Sequence, residues 1–336
     1  MNYRSGGPRS FNTIKRSHRE ERARRRVLCA KTLAAIMVTF LLLTLTALIL
    51  LVCNVAVDLQ NRHGNGRENE PEIPTLTYAP IALPTSSYLE GETVVVNGDH
   101  AYAFHQNDAD KLVSLSEYSR LVDGKNAYEI KTDKTQRLQK SAADSLHELL
   151  TAYYKKTGVS LVVYDTYRTP EEQTKISSNV EAGHSEHHTG LVLSLSLSKS
   201  SLSMEMSDYA DFLEMCHLYG FIQRYPDGKS KLTGVSNYGE CLRYVGVAHA
   251  TYMAENGLCL EEYVELLKKN HASTKGTDGK HLAVDTNGDG TADYAVYYVP
   301  KNGSADLTTI YVPSGMSYTV SGDNMGGFIV TVTLKP

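Results

Sequence analysis

Three histidines crowd the stretch His184-Ser-Glu-His-His-Thr-Gly190, and an alternating apolar and polar run follows it. A neutral imidazole is a common zinc ligand, so one of these rings with donors from neighbouring strands would make a metal site. The run that follows offers Ser194, a neutral hydroxyl with no charge to set against a cation. Further along, Tyr238-Gly-Glu240-Cys241 brings a phenol, a carboxylate and a thiol close together. A thiolate binds zinc well and a carboxylate accepts protons, so Cys241 and Glu240 are candidates for ligand and base. Arg168, with Gln173 one helical face along, presents a planar fork suited to a carboxylate. Asp285, Asn287, Asp289 and Asp293 fall at the first, third, fifth and ninth positions of a calcium-loop pattern, with Gly290 at its sharp turn. The bidentate glutamate that should close such a loop is replaced by Val296, and an Asn-Gly-Asp-Gly hairpin turn accounts for the same residues. Weak calcium binding at 285–293 stays open beside the turn.

The elements that must position these groups are legible in the patterning. Leu138, Ala142, Leu146, Leu149, Leu150 and Tyr153 have helical spacing and predict an amphipathic helix over 134–157. Residues 160–164 read as a buried strand. Thr169-Pro-Glu-Glu172 carries the signature of a capped helix start, with proline at the first position. Leu191, Leu193, Leu195 and Leu197 alternate with Val192, Ser194, Ser196 and Ser198, which predicts a half-buried strand. A helix over 207–220, strands at 221–225 and 242–247 and a helix over 249–269 follow. Residues 273–336 change to turn-separated alternating segments and read as a small all-β extension. In the extended Tyr238–Cys241 stretch, residues 238 and 240 would share a face.

The 336 residues are unevenly charged. Residues 1–31 hold ten of the 34 Lys and Arg but two of the 38 Asp and Glu, which leaves the remainder strongly acidic. An acidic body repels phosphate, so nucleic-acid binding is excluded. From Thr32 to Cys53 no residue is charged. About 20 apolar residues cross a bilayer as a helix, and the preceding Arg cluster puts the N-terminus in the cytoplasm. A cleaved signal peptide is the rival reading, but the apolar run is long for one and no small-residue cleavage site follows. We expect a basic cytoplasmic tail (1–31), a single transmembrane helix (32–53), an extracytoplasmic linker (54–95) holding four of the ten prolines, a folded domain (96–272) and the β-rich extension (273–336). Cys216, Cys241 and Cys259 are odd in number outside the membrane, so they cannot form a full disulfide framework.

Four ordered segments carry a resemblance: YDTYRTPEEQ (164–173), SEHHTGLVLS (185–194), YGFIQRYPDGK (219–229) and YGECLRYVG (238–246). Together they resemble the VanY-type D-alanyl-D-alanine carboxypeptidases, zinc enzymes that remove the terminal D-alanine of peptidoglycan stem peptides. The resemblance implies an α+β fold, a small antiparallel sheet flanked by helices. It implies that zinc is held by a histidine, an aspartate and a second histidine, with a glutamate as base. Placed residue by residue, the first histidine is His187, the aspartate position is Ser194, the base position is Tyr238 and the second histidine position is Cys241. Arg168 and Ser185 match family positions at the substrate, with Gln173 beside them. The resemblance therefore implies a membrane-anchored, outward-facing domain acting at peptidoglycan. Its metal and catalytic positions are degenerate, which suggests a module that binds D-Ala-D-Ala-type stem peptides or regulates, without metal. The alternative is an active zinc carboxypeptidase with a rearranged site built from His187, Cys241 and Glu240, or from a neighbouring His184, His188 or His249. For His184 and His188 we expect solvent-facing loop positions.

Overall fold

The structure is a computed structural model that describes residues 71–131, 135–176, 180–197, 210–236 and 238–335, together with Met37, Thr44 and Thr46. Apart from those last three, the expected membrane span lies outside the described residues. Among the described residues, no helix is long and apolar enough to cross a membrane.

In chain order the strands and helices are β1 (Tyr78–Pro84), β2 (Leu112–Ser114), β3 (Leu121–Val122), β4 (Lys125–Asn126), β5 (Tyr128–Ile130), β6 (Arg137–Gln139), α1 (Lys140–Thr157), β7 (Leu161–Tyr164), α2 (Pro170–Lys175), β8 (Val192–Leu197) and α3 (Ala210–Cys216). Then come β9 (Phe221–Gln223), α4 (Ser230–Thr233), β10 (Cys241–Tyr244), α5 (Val247–Asn256), α6 (Leu260–Asn270), β11 (Leu282–Val284), β12 (Tyr294–Pro300), β13 (Leu307–Pro313), β14 (Tyr318–Gly322) and β15 (Gly327–Thr333). The fold is α+β. Its central sheet has the order β5-β7-β8-β10-β9. The expectation of a purely antiparallel sheet needs one correction: β5 and β7 run parallel, because the chain crosses over through α1 between them.

Helix α1 lays Ala142, Leu146, Leu149, Leu150 and Tyr153 on the central sheet, against Leu161, Val163, Leu193, Leu195 and Leu242. It begins six residues later than its periodicity suggested, since Arg137–Gln139 pairs with β2 as a strand. Strand β8 lies between β7 and β10 and is buried on both faces, not half-buried: Val192, Leu193, Ser194 and Leu195 are all inaccessible. The helix expected over 249–269 is two helices. Gly257 takes a left-handed φ of 60° and ends α5, and Cys259 with Glu262 forms a capping box that starts α6.

The extension is not a separate module. Alternate residues of its four-stranded sheet (β11-β12-β15-β14) face opposite ways, as strand geometry requires. Val296, Tyr298 and Ile329 join Met253, Tyr263, Val264 and Leu267 of α5 and α6 in one core. Ala295, Tyr297, Val299, Phe328 and Val330 face a second core with Ile310 and Val312 of β13. Part of the expected linker is folded too: β1 pairs in antiparallel register with β13 from Tyr78↔Pro313 to Pro84↔Leu307. Proline spacing misled there, because an edge strand tolerates proline where its N–H would face away from the partner. Residues 71–336 form one compact unit. The three cysteines within it, Cys216, Cys241 and Cys259, are buried and free.

Candidate functional site

A cleft of about 650 Å³ opens between the loop after β7, the His184–Thr189 turn, the Thr233–Ser236 loop and the Val96–Gly98 segment. Arg168, Gln173, His184, Ser185, His187, Tyr225 and Tyr238 line it. Arg168 is fixed by the helix start that the sequence announced. Thr169 caps α2, its hydroxyl accepting from the Glu172 amide while Glu172 accepts from the Thr169 amide. Gln173 then faces back, so its Oε1 accepts from Arg168 Nη1 at 2.8 Å and its Nε2 donates to the Val180 carbonyl at 2.9 Å. The Asp165 carboxylate takes Arg168 Nε at 2.7 Å and Nη2 as well. Burial opposes the charge of Arg168, but Asp165 outweighs it and the guanidinium pKa is raised.

His187 is buried at the cleft floor. Its Nδ1 lies 2.7 Å from the Thr166 carbonyl oxygen and must donate to it, so a neutral ring presents a lone pair at Nε2. Burial, and then the Arg168 charge, lower the His187 pKa to about 4, so the ring is neutral at ordinary pH. That lone pair is already taken: the Tyr238 hydroxyl lies 3.3 Å from Nε2 and 2.7 Å from Ser194 Oγ. The hydrogens settle into one chain, Ser194 donating to Tyr238, Tyr238 to His187 and His187 to the Thr166 carbonyl. Ser194 faces Cys241 directly across the β8–β10 ladder. Burial pushes both the Tyr238 phenol and the Cys241 thiol above their ordinary values.

Other candidates fall elsewhere. Glu240 does not share the face of Tyr238. The chain turns there, Cys241 N–H donating to the Tyr238 carbonyl at 3.3 Å, and β10 starts only at Cys241. Glu240 instead accepts from the Tyr164 hydroxyl at 3.3 Å, away from the cleft lining. His188 is not solvent-facing but buried, its Nδ1 donating to the Arg168 carbonyl and its Nε2 accepting from the Gly183 amide. His184 lines the cleft with Nδ1 on the Asn97 carbonyl at 2.8 Å. His249 belongs to the α5–α6 core, between Tyr263 and Thr331. In the 285–293 loop, Asp285 accepts from the amides of Asn287, Gly288 and Gly290 as a turn former does. Lys335 Nζ stands 3.1 Å from Asp289 and 2.9 Å from Asp293, so a calcium ion there would have to displace an ammonium.

Sequence reading missed a buried ion network behind the cleft. Glu186 accepts from Arg224 Nε at 2.7 Å and from Arg243 Nη1, and Glu261 accepts from Arg224 at 2.7 and 3.0 Å. Arg243 also donates to the carbonyls of Glu92 and Val94, which ties the cleft wall to the segment read as linker. Tyr225 was missed as well; its ring stacks on Tyr238 with centroids 5.8 Å apart and planes at 14°. Only the three-valine run at 94–96 hinted that this segment is buried.

The VanY family model, described as D-alanyl-D-alanine carboxypeptidase, matches residues 135–247, which hold every lining residue of the cleft except the Val96–Gly98 segment. Over 284 residues the chain is 29% identical to the D-alanyl-D-alanine carboxypeptidase of Enterococcus faecium, covering 82% of this chain and 86% of that protein. It is 31% identical over 151 residues to the bifunctional D-Ala-D-Ala dipeptidase and D-Ala-D-Ala carboxypeptidase VanXYC of Enterococcus gallinarum, covering 39% of this chain and 78% of VanXYC. The chain belongs to the VanY-type D-alanyl-D-alanine carboxypeptidase family. The crystal structure of the vancomycin-resistance D,D-dipeptidase VanXYg, in complex with a D-Ala-D-Ala phosphinate analog, has the same fold at a TM-score of 0.60 and 26% identity, covering 76% of this chain and 99% of VanXYg.

VanY-type enzymes depend on zinc, and the donor set in this chain does not fit that ion. Of the three positions that the resemblance assigns to metal ligands, only His187 carries a ligand of the family's type, and its lone pair holds the Tyr238 proton. Ser194 brings no charge, and Cys241 is a buried thiol whose raised pKa favours the neutral form. Among the described residues, no group of three or more His, Cys, Asp or Glu side chains is arranged to hold a metal ion.

Proposed function

We propose that this protein is a membrane-anchored, extracytoplasmic VanY-type protein that binds peptidoglycan stem peptides in the cleft without hydrolysing them, as a wall-binding or regulatory module. One observation carries the reading: the Tyr238 hydroxyl joins His187 and Ser194 in a closed, neutral hydrogen-bond chain. Hydrolysis in this family needs a water activated by a metal and a carboxylate to take its proton. Here the base position holds a phenol kept protonated by burial, and the imidazole that would meet the metal is engaged. The cleft itself is open and lined with amide, hydroxyl and apolar groups suited to a peptide. Anchoring rests on the uncharged stretch 32–53 behind the arginine cluster.

The test uses the full chain in detergent, supplied with zinc. N-acetyl-L-lysyl-D-alanyl-D-alanine or its C-terminal amide should bind by calorimetry, and the acid should release no D-alanine. The variant Ser194→Asp/Tyr238→Glu/Cys241→His should take up one equivalent of zinc that the parent does not. D-Alanine release by the parent chain would overturn the reading. Failure of both forms of the peptide to bind would remove the stem-peptide part of it. A reporter fused after residue 336 that is accessible only from the cytoplasm would refute the orientation.

A further inference from the structure

We infer that Asp165 is a built-in carboxylate that occupies the cleft's arginine. The ligand is therefore a peptide whose terminal D-alanine carbonyl lies in an amide linkage, not a free C-terminal carboxylate. This deepens, and rests on, the stem-peptide reading of the cleft.

Among the described residues that line the cleft, Arg168 is the one lysine or arginine; Glu186 is neutralised by Arg224 and Arg243, which leaves Glu181 as the unpaired negative charge of the lining. A ligand carboxylate entering the cleft would look to Arg168 for its counter-charge. Three of its five N–H groups, one on each guanidinium nitrogen, already have acceptors within the chain, and they include the whole side-on edge. Nε and Nη2 meet the two Asp165 oxygens side-on, and Nη1 meets Gln173 Oε1. The side-on pair is the geometry in which a guanidinium binds a carboxylate most strongly. It is also shielded, the two side chains being only 10% and 20% exposed. The backbone is committed to it: Asp165 adopts a left-handed φ of 57° directly after β7, a conformation that aspartate tolerates better than most residues. Gln173 cannot turn to a ligand without giving up Val180, since both ends of its amide are engaged.

The cation and its partner thus sum to zero at the cleft, and a free ligand carboxylate would enter beside Asp165 and Glu181 without compensation. Such a charge costs more to desolvate than an amide does. An amide-linked carbonyl carries no such charge and finds donors in the cleft's hydroxyl and amide groups. Cross-linked or C-terminally amidated stem peptides have that chemistry.

The experiment compares N-acetyl-L-lysyl-D-alanyl-D-alanine with its C-terminal amide by calorimetry, on the full chain and on Asp165→Asn and Asp165→Ser. The native chain should bind the amide at least as tightly as the acid. Either variant should shift the preference toward the acid by tenfold or more. A native chain that favours the acid tenfold, or variants that leave the ratio unchanged, would overturn the proposal. A second arm does not depend on peptide binding: labelling of Arg168 by phenylglyoxal, read by mass spectrometry with and without acetate. Acetate should protect Arg168 in both variants and leave the native chain indifferent; equal protection in all three would sink the role of Asp165. If neither peptide binds any of the proteins, the stem-peptide reading fails and the acetate arm still decides whether Asp165 blocks the arginine.

Discussion

Glu186 and His187 adjoin in the chain and enter surroundings of opposite electrical character. The Glu186 side is fully charged, two arginines against two carboxylates, all buried and mutually satisfied. On the His187 side the hydrogen-bonded chain and the thiol across the ladder are neutral groups, imidazole, phenol, hydroxyl and thiol, with the Arg168–Asp165 pair at their border. Both are solutions to the same constraint, that a buried charge must be paired. A zinc site with an aspartate ligand and a glutamate base balances its carboxylates against the metal. On the reading proposed above, those carboxylates would be uncompensated without the metal, and Ser194 and Tyr238 at the positions that the resemblance assigns to them would remove the imbalance. The network behind needs no metal, because its cations are side chains.

The contrast is sharpest when the charged side is broken. Arg224→Met leaves Glu261 without its bidentate partner and Glu186 with one arginine in place of two. Removing one member of a buried ion cluster costs about 3–5 kcal/mol, and urea unfolding of the variant should show a loss of that size. A loss below about 1 kcal/mol would mean that water reaches the network. On the neutral side the corresponding change is Tyr238→Phe, which strips His187 Nε2 and Ser194 Oγ of a shared partner. Two buried groups left unsatisfied should cost about 1–3 kcal/mol, with part recovered when Ser194→Ala is added. If Tyr238→Phe is as costly as Arg224→Met, the two sides are not electrically different.

Proton binding separates them further. His187 holds its pKa near 4 in the folded chain, against an ordinary value of 6.5. As pH falls from about 6.5 toward 4, the unfolded chain takes up a proton that the folded one refuses. Stability from the neutral ring is therefore complete above 6.5 and lost through that window. The share due to His187 should be on the order of 1–2 kcal/mol between pH 7 and 5, read as a shallower pH slope in His187→Gln. His249, lowered to about 4 by burial, adds a slope of its own that the variant retains.

Much of this was legible locally. The Thr169 cap, the β7 strand and the placing of His187 before an alternating strand follow from residues a few positions apart, and the structure keeps them. What escaped was set by distant partners. Alternation put residues 238 and 240 on one face, but the i to i+3 bond into Cys241 makes a turn there. The buried arginines look like surface charges in sequence because Glu186, Arg224, Arg243 and Glu261 come from four separate segments of the chain. Strand β1 was hidden by its prolines, and its partner lies more than 220 residues away. Gly257 and the Cys259–Glu262 box did announce the break between α5 and α6, but the helical periodicity on either side masked it.

Tyr225 is where the two sides touch, and it gives the finest test. One face of its ring stacks on Tyr238, and the Arg224 guanidinium lies 5.0 Å from its centroid. If the charged network holds the neutral chain in register, the hold passes through this ring. Tyr225→Leu should cost about 0.5–1.5 kcal/mol beyond the change in buried area, as aromatic pairs do. The informative quantity is the coupling in double-mutant cycles with Tyr238→Phe and with Arg224→Met. Coupling to both would show that the tyrosine pair transmits the rigidity of the ion network to the phenol that engages His187. Coupling to Arg224 alone would leave Tyr238 held by its own hydrogen bonds, and the two sides would be neighbours that share a peptide bond and nothing more.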